Sequence, residues 1–374
     1  MVKPFSLLIK PAGADCNLRC RYCFYLDRAE LYSETHKHRM SDPVLERVIA
    51  GYMGTIQTVY AFGWQGGEPS LMGLEFFRKV VDMQQRYGRP GAIVTNGLQT
   101  NATLMNDDLA AHLAKYRFLV GVSLDGPPGI NDLNRHTVSG RSVHTKTLEG
   151  ITALRRQGVS FNVLTVVSSA NVKQGKEVYR YIKSLGLDYH QYIPCVEFDA
   201  TGRPLPFTIT GDQWGEFLKE VFDEWRRHDV GRVSIRLHDD ILNRLITGAA
   251  ATCTMRNRCN DYFVVEHNGD VYPCDFFVRP DLKLGSLMQN TWEEMQTSTV
   301  YQQFGRMKSE WNLQCDTCEY RAFCAGDCLK HRFRQTDDPH RLSWLCAGWK
   351  RFYRHSLPIF QELAWEASRR YVRQ

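Results

Sequence analysis

Eleven of the twelve cysteines fall into two spaced sets. The first, Cys16, Cys20 and Cys23 in CNLRCRYC, supplies three thiolates where an iron–sulfur cubane takes four. An iron left without a protein ligand can bind a small molecule directly, which suits catalysis better than electron storage. Thiolate-rich sets favour iron–sulfur clusters, zinc or copper(I). A structural zinc site closes with four ligands and usually pairs its cysteines as Cys-x2-Cys, so three cysteines at this spacing fit zinc poorly. The second set is longer. Cys253 and Cys259 come first, Gly269 lies ten residues after Cys259, and Cys274 lies five after the glycine. Cys315, Cys318, Cys324 and Cys328 follow, and Cys346 closes the series. Eight cysteines make two complete sets of four, as in two closed cubanes or a pair of zinc ribbons. Cys195, near Ile193 and Val196, is left over and reads as a buried, inert small hydrophobe. The twelve histidines show no His-x3-His or similar pairing with the cysteines, and none is assigned a catalytic role.

These side chains need a scaffold to hold them. From residue 1 to about 235, β-rich runs alternate with helical patterns. The runs are FSLLIK (5–10), TVYAFGW (58–64), AIVTN (92–96), FLVGVSLD (118–125), FNVLTVV (161–167) and YHQYIP (189–194). Ser41 or Asp42 followed by Pro43 marks a helix start. Leu148, Ile151 and Leu154 recur at helical spacing in one helix, and Val172, Tyr179 and Ile182 in the next. Six strand–helix units predict a parallel sheet. The three-cysteine loop follows the first strand and GGEP, at 66–69, the second. Strand three ends near LQTNAT, and strand four ends at Ser123, Leu124 and Asp125, ahead of Arg135. Beyond about 235 the pattern changes: a helix over roughly 239–247 leads to Cys253, and YFVVEH and DVYP flank Asn268-Gly269, a hairpin signal. The stretch from 315 to 346 has little periodicity, as expected where metal replaces core, and a final amphipathic helix is expected from about Pro358 to Tyr371. Repeats and low-complexity linkers are absent, and the chain divides into two expected domains, 1–235 and 236–374.

The cysteine spacing of three and then two residues, with Tyr22 before the last, resembles the signature of radical S-adenosylmethionine enzymes. In that family the cofactor chelates the open iron through its methionyl amine and carboxylate. The second set, Cys-x9-Gly-x4-Cys, Cys-x2-Cys-x5-Cys-x3-Cys and a last Cys, resembles the SPASM extension with two auxiliary 4Fe-4S clusters. The resemblance sharpens the fold to a partial (β/α)6 barrel with a cysteine-rich SPASM domain, with ligands at the C-terminal strand ends. It places Tyr22, Gly67, Glu68, Ser123, Arg135 and Val196 at the S-adenosylmethionine pocket, with Arg135 pairing the carboxylate. Read unaided, GGE is a simple tight turn, and Ser123 and Arg135 are a strand end and a surface charge.

SLLIKPAG, CRYCFY, WQGGEPSLMGLEFF, LQTNATL, GVSLDGP and VYPCDFF together are similar to the anaerobic sulfatase-maturating enzymes over nearly the whole chain. These oxidise a cysteine or serine in a sulfatase Cys/Ser-x-Pro/Ala-x-Arg stretch to Cα-formylglycine. The implied mechanism starts with S-adenosylmethionine cleavage at the three-cysteine cluster, and the 5′-deoxyadenosyl radical removes a hydrogen atom from the substrate Cβ. A base takes the thiol or hydroxyl proton, and an auxiliary cluster takes the remaining electron. The resemblance assigns the base to Asp275, next to Cys274; unaided, an aspartate there is solvated or accepts loop amides. Gln65 and Tyr25 are candidates to line the substrate pocket. The implied partners are an unfolded or partly folded sulfatase polypeptide and an electron donor such as flavodoxin or ferredoxin.

Composition agrees with a globular enzyme: 374 residues with 43% hydrophobic and 24% charged. The apolar run before Lys10 is too short for a signal-peptide core, and no stretch approaches the roughly 18 apolar residues of a membrane span. A cytoplasmic location with no membrane partner is expected, where thiols bind metal more often than they form disulfides. The formal charge is +6. Two four-thiolate cubanes and one three-thiolate cubane would bring it to about +1, and the basic residues are scattered, so no nucleic-acid partner is expected. Three other readings compete. A thioether-forming SPASM maturase often has a peptide-binding domain first, and here the first strand begins within about five residues of Met1. A multi-cluster electron carrier would not need the open iron or the long barrel, and a zinc-stabilised interaction module would hold no sulfide.

Overall fold

All six strand-like runs form strands in the computed structural model, which describes residues 2–33 and 36–371. They are β1 (Ser6–Ile9), β2 (Val59–Trp64), β3 (Ile93–Thr100), β4 (Leu119–Ser123), β5 (Ser160–Val167) and β6 (Tyr189–Pro194), followed by β7 (Ser234–Ile235), β8 (Tyr262–Val265), β9 (Asp270–Tyr272) and β10 (Gly285–Ser286). The helices between the first six are α1 (Asp42–Met53), α2 (Gly73–Tyr87), α3 (Asp107–Lys115), α4 (Pro128–Asn134), α5 (His144–Arg156) and α6 (Gly175–Ser184), and α9 (Trp292–Thr297) and α10 (Thr299–Met307) follow β10. The chain folds as two compact units. One comprises Met1–Ser123, Arg135–Asn162 and Cys259–Gly305; the other comprises Leu124–Asn134, Val163–Arg258 and Arg306–Gln374.

In the first unit the strands run in the order β10-β9-β8-β1-β2-β3-β4. β1 is paired on both sides in parallel register, Leu8 with Gly63 of β2 and with Val264 of β8, which explains why a four-residue strand can be central and bury Ile9 completely. β8 and β9 form the hairpin read from Asn268-Gly269, and Gly269 takes the positive φ (89°) that the turn needs. β3 ends at Thr100, within the LQTNAT stretch where its end is expected, and Gly97 and Leu98 pair with Leu119 and Val120. Phe5, Tyr52, Phe263 and Trp292 interlock under β1. Because β1 to β4 are parallel, the cysteine loop, GGEP, LQTNAT and Ser123 all emerge at the same strand ends.

The second unit contains the rest of β5, with β6 and β7 parallel to it, Val163 beside His190 and His190 beside Ile235. Its helices include α7 (Gly211–His228), α8 (Arg236–Thr247) and α13 (Cys346–Tyr371). α7 starts on a Thr210–Gln213 capping box and buries Trp214, Phe217, Val221, Phe222 and Trp225. The last helix is longer than expected: it begins at Cys346 rather than near Pro358. Pro358 is exposed, so the carbonyl it leaves unpaired can face water, while Phe352, Tyr353 and Phe360 on the other side stay buried. α7 and α13 touch backbone to backbone, since a Cβ on Gly348 would lie 2.0 Å from the Gly211 carbonyl oxygen. Residues 315–346 hold only the one-turn helices α11 (Arg321–Cys324) and α12 (Leu329–Arg332). Among the described residues no helix is long and apolar enough to cross a membrane.

Candidate active site

The loop after β1 is built to present Cys16, Cys20 and Cys23. Two glycines let the GGEP turn close onto it. A Cβ on Gly67 would lie 2.0 Å from the Asp15 carbonyl oxygen, and Gly66, at φ 112°, would meet the Gly13 carbonyl at 2.7 Å. With no side chains in the way, the Gly67 N–H donates to Gly13 O (2.9 Å) and the Glu68 N–H to Asp15 O (2.7 Å). Asp15 is in turn held by His38, whose Nδ1 lies 2.7 Å from Oδ1 and whose N–H donates to Oδ2 at 2.9 Å. Burial pushes the Cys16 thiol up to about 12, with the Glu68 charge adding to it, and pushes Cys23 up to about 11. The bare thiols are therefore protonated at neutral pH, and binding a cluster must release those protons.

Of the expected cofactor residues, Tyr22, Gly67, Glu68, Ser123 and Arg135 lie in the first unit and Val196 in the core of the second. Arg135 is buried, contrary to its unaided reading as a surface charge, and its Nη1 donates to the Tyr22 hydroxyl at 2.8 Å. Ser123 accepts from Gln99 Nε2 at 3.1 Å. Glu68 is engaged by protein groups: Oε1 accepts from Ser70 N and Oγ (3.0 and 2.6 Å) and Thr100 Oγ1 (2.7 Å), and Oε2 accepts from Asn101 N (2.7 Å). Burial pushes its carboxyl up and these donors oppose the push. Glu68 thus ties the GGEP turn to the end of β3. Asn101 Nδ2 in turn reaches Cys16 Sγ at 3.7 Å.

Asp275 opens a 3-10 turn after Cys274 and is almost fully buried. Its Oδ1 meets Lys10 Nζ at 2.7 Å, and Lys10 also meets Glu266 Oε1 at 2.9 Å. Its Oδ2 accepts from the Tyr25 hydroxyl and lies 3.5 Å from Gln65 Nε2, which is itself 3.4 Å from the Tyr25 oxygen. The segment is anchored on the cysteine loop: Arg28 donates to the carbonyls of Phe276 (2.8 Å) and Val278, and Phe24 packs on Phe276 at 5.0 Å. Burial opposes the Lys10 charge, but Asp275 and Glu266 outweigh it and raise the ammonium above its ordinary range. Burial, then Asp275, lifts the Tyr25 phenol well above its ordinary range, so it remains a donor. The sequence reading had Asp275, Tyr25 and Gln65, and the structure brings all three together. It missed Lys10 and Glu266. A lysine ending the apolar run LLI at a strand's C-terminal end was the available signal for the first.

In the second unit Cys315, Cys318, Cys324 and Cys346 line one cavity with Gly326, Trp349 and Lys350. Burial pushes the thiols of Cys315, Cys324 and Cys346 up. Four convergent thiols fit a closed cubane. Cys259 and Cys274 belong to the first unit, where both raise the Tyr301 phenol beyond the effect of its burial; Cys274 Sγ also accepts from the Tyr262 hydroxyl at 3.1 Å. Cys253 and Cys328 belong to the second. Cys195 is buried, its thiol pushed up to about 12 by that burial, in keeping with an inert role.

Comparisons with known proteins support the same chemistry. The Radical SAM superfamily matches residues 11–182, and the SPASM iron-sulfur cluster-binding domain matches residues 253–319. A serine-type anaerobic sulfatase-maturating enzyme of Bacteroides thetaiotaomicron is 37% identical over 95% of this chain and 90% of its own. A cysteine-type enzyme of Clostridium perfringens is 33% identical over 95% and 97%. A solved structure of anSMEcpe with bound AdoMet and Cp18Cys peptide matches with a TM-score of 0.90 at 32% identity, over 98% of this chain and 100% of that one.

Proposed function

From the premise that the chain belongs to the anaerobic sulfatase-maturating enzymes, with a radical S-adenosylmethionine partial (β/α)6 barrel and a C-terminal SPASM domain, we propose which residues carry each part of the reaction. The enzyme oxidises a cysteine or serine of a sulfatase to Cα-formylglycine. Its cofactors are three 4Fe-4S clusters and S-adenosylmethionine, which when bound supply the hydrogen-abstracting radical and the sink for the second electron.

Cys16, Cys20 and Cys23 hold the catalytic cluster, and Cys315, Cys318, Cys324 and Cys346 hold one auxiliary cluster. Arg135 and Tyr22 form a paired donor group for the carboxylate end of S-adenosylmethionine. The Gly66–Gly67 turn, free of side chains, lets backbone meet its amine end, and Glu68 keeps that turn in place. Asp275 takes the substrate's thiol or hydroxyl proton. Its Oδ1 is fixed by Lys10, which leaves Oδ2, shared with Tyr25 and Gln65, as the oxygen available to the substrate. The barrel spans 1–235 and the auxiliary-cluster domain 236–374. A flavodoxin- or ferredoxin-like donor supplies electrons in the cytoplasm, where the enzyme meets its sulfatase unfolded or partly folded. The observation that carries this reading is the buried Asp275, held between Lys10 and Tyr25 beside a cluster cysteine. The test is to incubate the anaerobically reconstituted protein with S-adenosylmethionine, a reductant and a Cys-x-Pro-x-Arg peptide, and weigh the peptide. An aldehyde is expected; a thioether crosslink would replace this reading with that of a general peptide maturase.

A further inference from the structure

Within the second unit, the chain between Cys324 and Cys328 wraps around two cations. Lys308 and Arg332 are both almost fully buried. Lys308 Nζ donates to the carbonyls of Thr254 (3.2 Å), Ala325 (3.0 Å) and Asp327. Arg332 donates through Nε to Gly326 O (2.7 Å), through Nη1 to Pro339 O (3.2 Å), and through Nη2 to the carbonyls of Lys308 (3.0 Å), Ala325 (3.0 Å) and Asp327 (3.2 Å). Three successive residues adopt left-handed backbone to aim these carbonyls: Ala325 at φ 45°, Gly326 at 71° and Asp327 at 65°. Two of them are not glycine, and strain of that kind persists only where the surroundings impose it.

Carbonyl dipoles solvate a cation but do not neutralise it. Among the described residues neither cation forms an ion pair with a carboxylate. The nearby Asp327 directs Oδ2 to His331 Nδ1 (2.8 Å) and Ser343 Oγ (2.6 Å) instead. Burial draws the Arg332 guanidinium down from its ordinary value, yet arginine stays protonated in proteins. The buried Asp327 carboxylate is felt by both cations, but one negative charge against two positive ones leaves a buried excess of positive charge, which is costly, so a further anion is expected beside them. The place is marked by Gly326, which lines the cavity of Cys315, Cys318, Cys324 and Cys346. A Cβ there would lie 2.3 Å from Arg332 Nη2, so the guanidinium stands directly behind the cavity wall. Its charge is felt by Cys315 and Cys324 of the cavity and by Cys328.

We propose that Lys308 and Arg332 are positioning residues for the electron rather than the proton: a buried cation pair that raises the reduction potential of the auxiliary cluster on Cys315, Cys318, Cys324 and Cys346. This rests on the reading that the cavity holds a 4Fe-4S cluster. With four thiolates such a cluster carries about two negative charges oxidised and about three reduced, and net charge and hydrogen bonding set its potential. The cations stabilise the more negative state. A cluster held by these four cysteines would supply the acceptor for the one electron that the substrate radical loses, while the proton would go to Asp275, so charge and electrons balance.

The experiment uses the full chain carrying Cys16→Ala, Cys20→Ala and Cys23→Ala, so that only the auxiliary clusters remain, with iron analysis and an EPR-monitored redox titration. Adding Lys308→Met or Arg332→Met should leave the iron content unchanged and move one of the two midpoint potentials to a more negative value. Arg332→Lys, which keeps the charge, should restore it. Full iron with both potentials unmoved overturns the proposal. Loss of one cluster's iron on removing either cation also overturns it, in favour of a purely structural role. In the same background Cys346→Ala tests the underlying reading separately: if the iron content does not fall, the cavity holds no cluster.

Discussion

Two buried lysines are handled in opposite ways. Lys10, at the end of β1, meets two carboxylates, Asp275 and Glu266. Lys308 meets only carbonyl oxygens and shares them with Arg332. The first group of three charges sums to −1 and becomes neutral when Asp275 accepts a proton; the second carries excess positive charge and becomes better balanced when a neighbouring cluster accepts an electron. After hydrogen abstraction the reaction removes both a proton and an electron from one substrate, and on the proposed reading the protein provides a differently charged site for each.

The sharpest way to break the comparison is to remove one side of it. Replacing Cys16, Cys20 and Cys23 with alanine should abolish S-adenosylmethionine cleavage and lower iron from about twelve to about eight per chain. The auxiliary clusters should remain titratable. A triple variant that kept its full iron would show that these cysteines are not ligands. Next in size is Asp275→Asn. Cofactor binding and 5′-deoxyadenosine formation should persist while formylglycine falls about 10²- to 10⁴-fold, the usual contribution of an acid–base group. If more than half of the product survived, Asp275 would not be the proton acceptor.

Lys10→Met probes the charge balance itself. It leaves Asp275 and Glu266 facing each other without their shared cation, and breaking a buried ion pair costs about 3–5 kcal/mol. Denaturant midpoints should fall accordingly, and the loss should shrink when Glu266→Gln is added, because one of the stranded charges is then gone. Equal losses in the single and double variants would mean that the network is not coupled. On the substrate side, the arginine of the sulfatase stretch should anchor the peptide by charged hydrogen bonds worth about 1.5–3 kcal/mol. Changing it to alanine should reduce modification efficiency about 10- to 100-fold, and a scrambled peptide should be nearly inert. Equal rates for the scrambled and ordered peptides would exclude motif recognition.

The proton site was more legible in the sequence than the electron site, for a physical reason. Asp275 and Tyr25 follow motif cysteines and Gln65 immediately precedes the glycine turn, so the family resemblance reaches all three through local sequence. The six strands were legible because apolar β-branched runs leave a period that survives without the fold. Lys10 and Glu266 were not, since they are separated by more than 250 residues and become partners only when β8 pairs with β1. Arg135 reads as exposed without the family resemblance for a similar reason: its hydrogen-bond partner Tyr22 lies 113 residues earlier. The extra turns of α13 were hidden by Pro358, whose local helix-breaking tendency is overridden by aromatic packing on its opposite side. Lys308 and Arg332 left no trace, because the groups that hold them are backbone carbonyls, which carry no sequence signal.

The second unit buries another basic group, and it sharpens the comparison because this one is neutral. His238 is fully buried among Phe222, Trp225, Phe352 and Phe360, and neither ring nitrogen has a hydrogen-bond partner among the described residues. Burial pulls its pKa down to about 3. In the unfolded chain the imidazole titrates at about 6.5. Between those values the unfolded state binds a proton that the folded state refuses, so His238 destabilises the fold as pH falls from about 6.5 toward about 3, by up to about 1.4 kcal/mol per pH unit. Above 6.5 it has no effect, because both states are neutral. His238→Phe should therefore leave the melting temperature nearly unchanged at pH 8 and raise it at pH 5, flattening the acid side of the stability curve. A variant whose curve runs parallel to the wild type from pH 8 to 5 would show that His238 is protonated in the folded protein. His238 would then be a further buried cation beside Lys308 and Arg332, and the contrast between the unit's charged and neutral basic groups would fail.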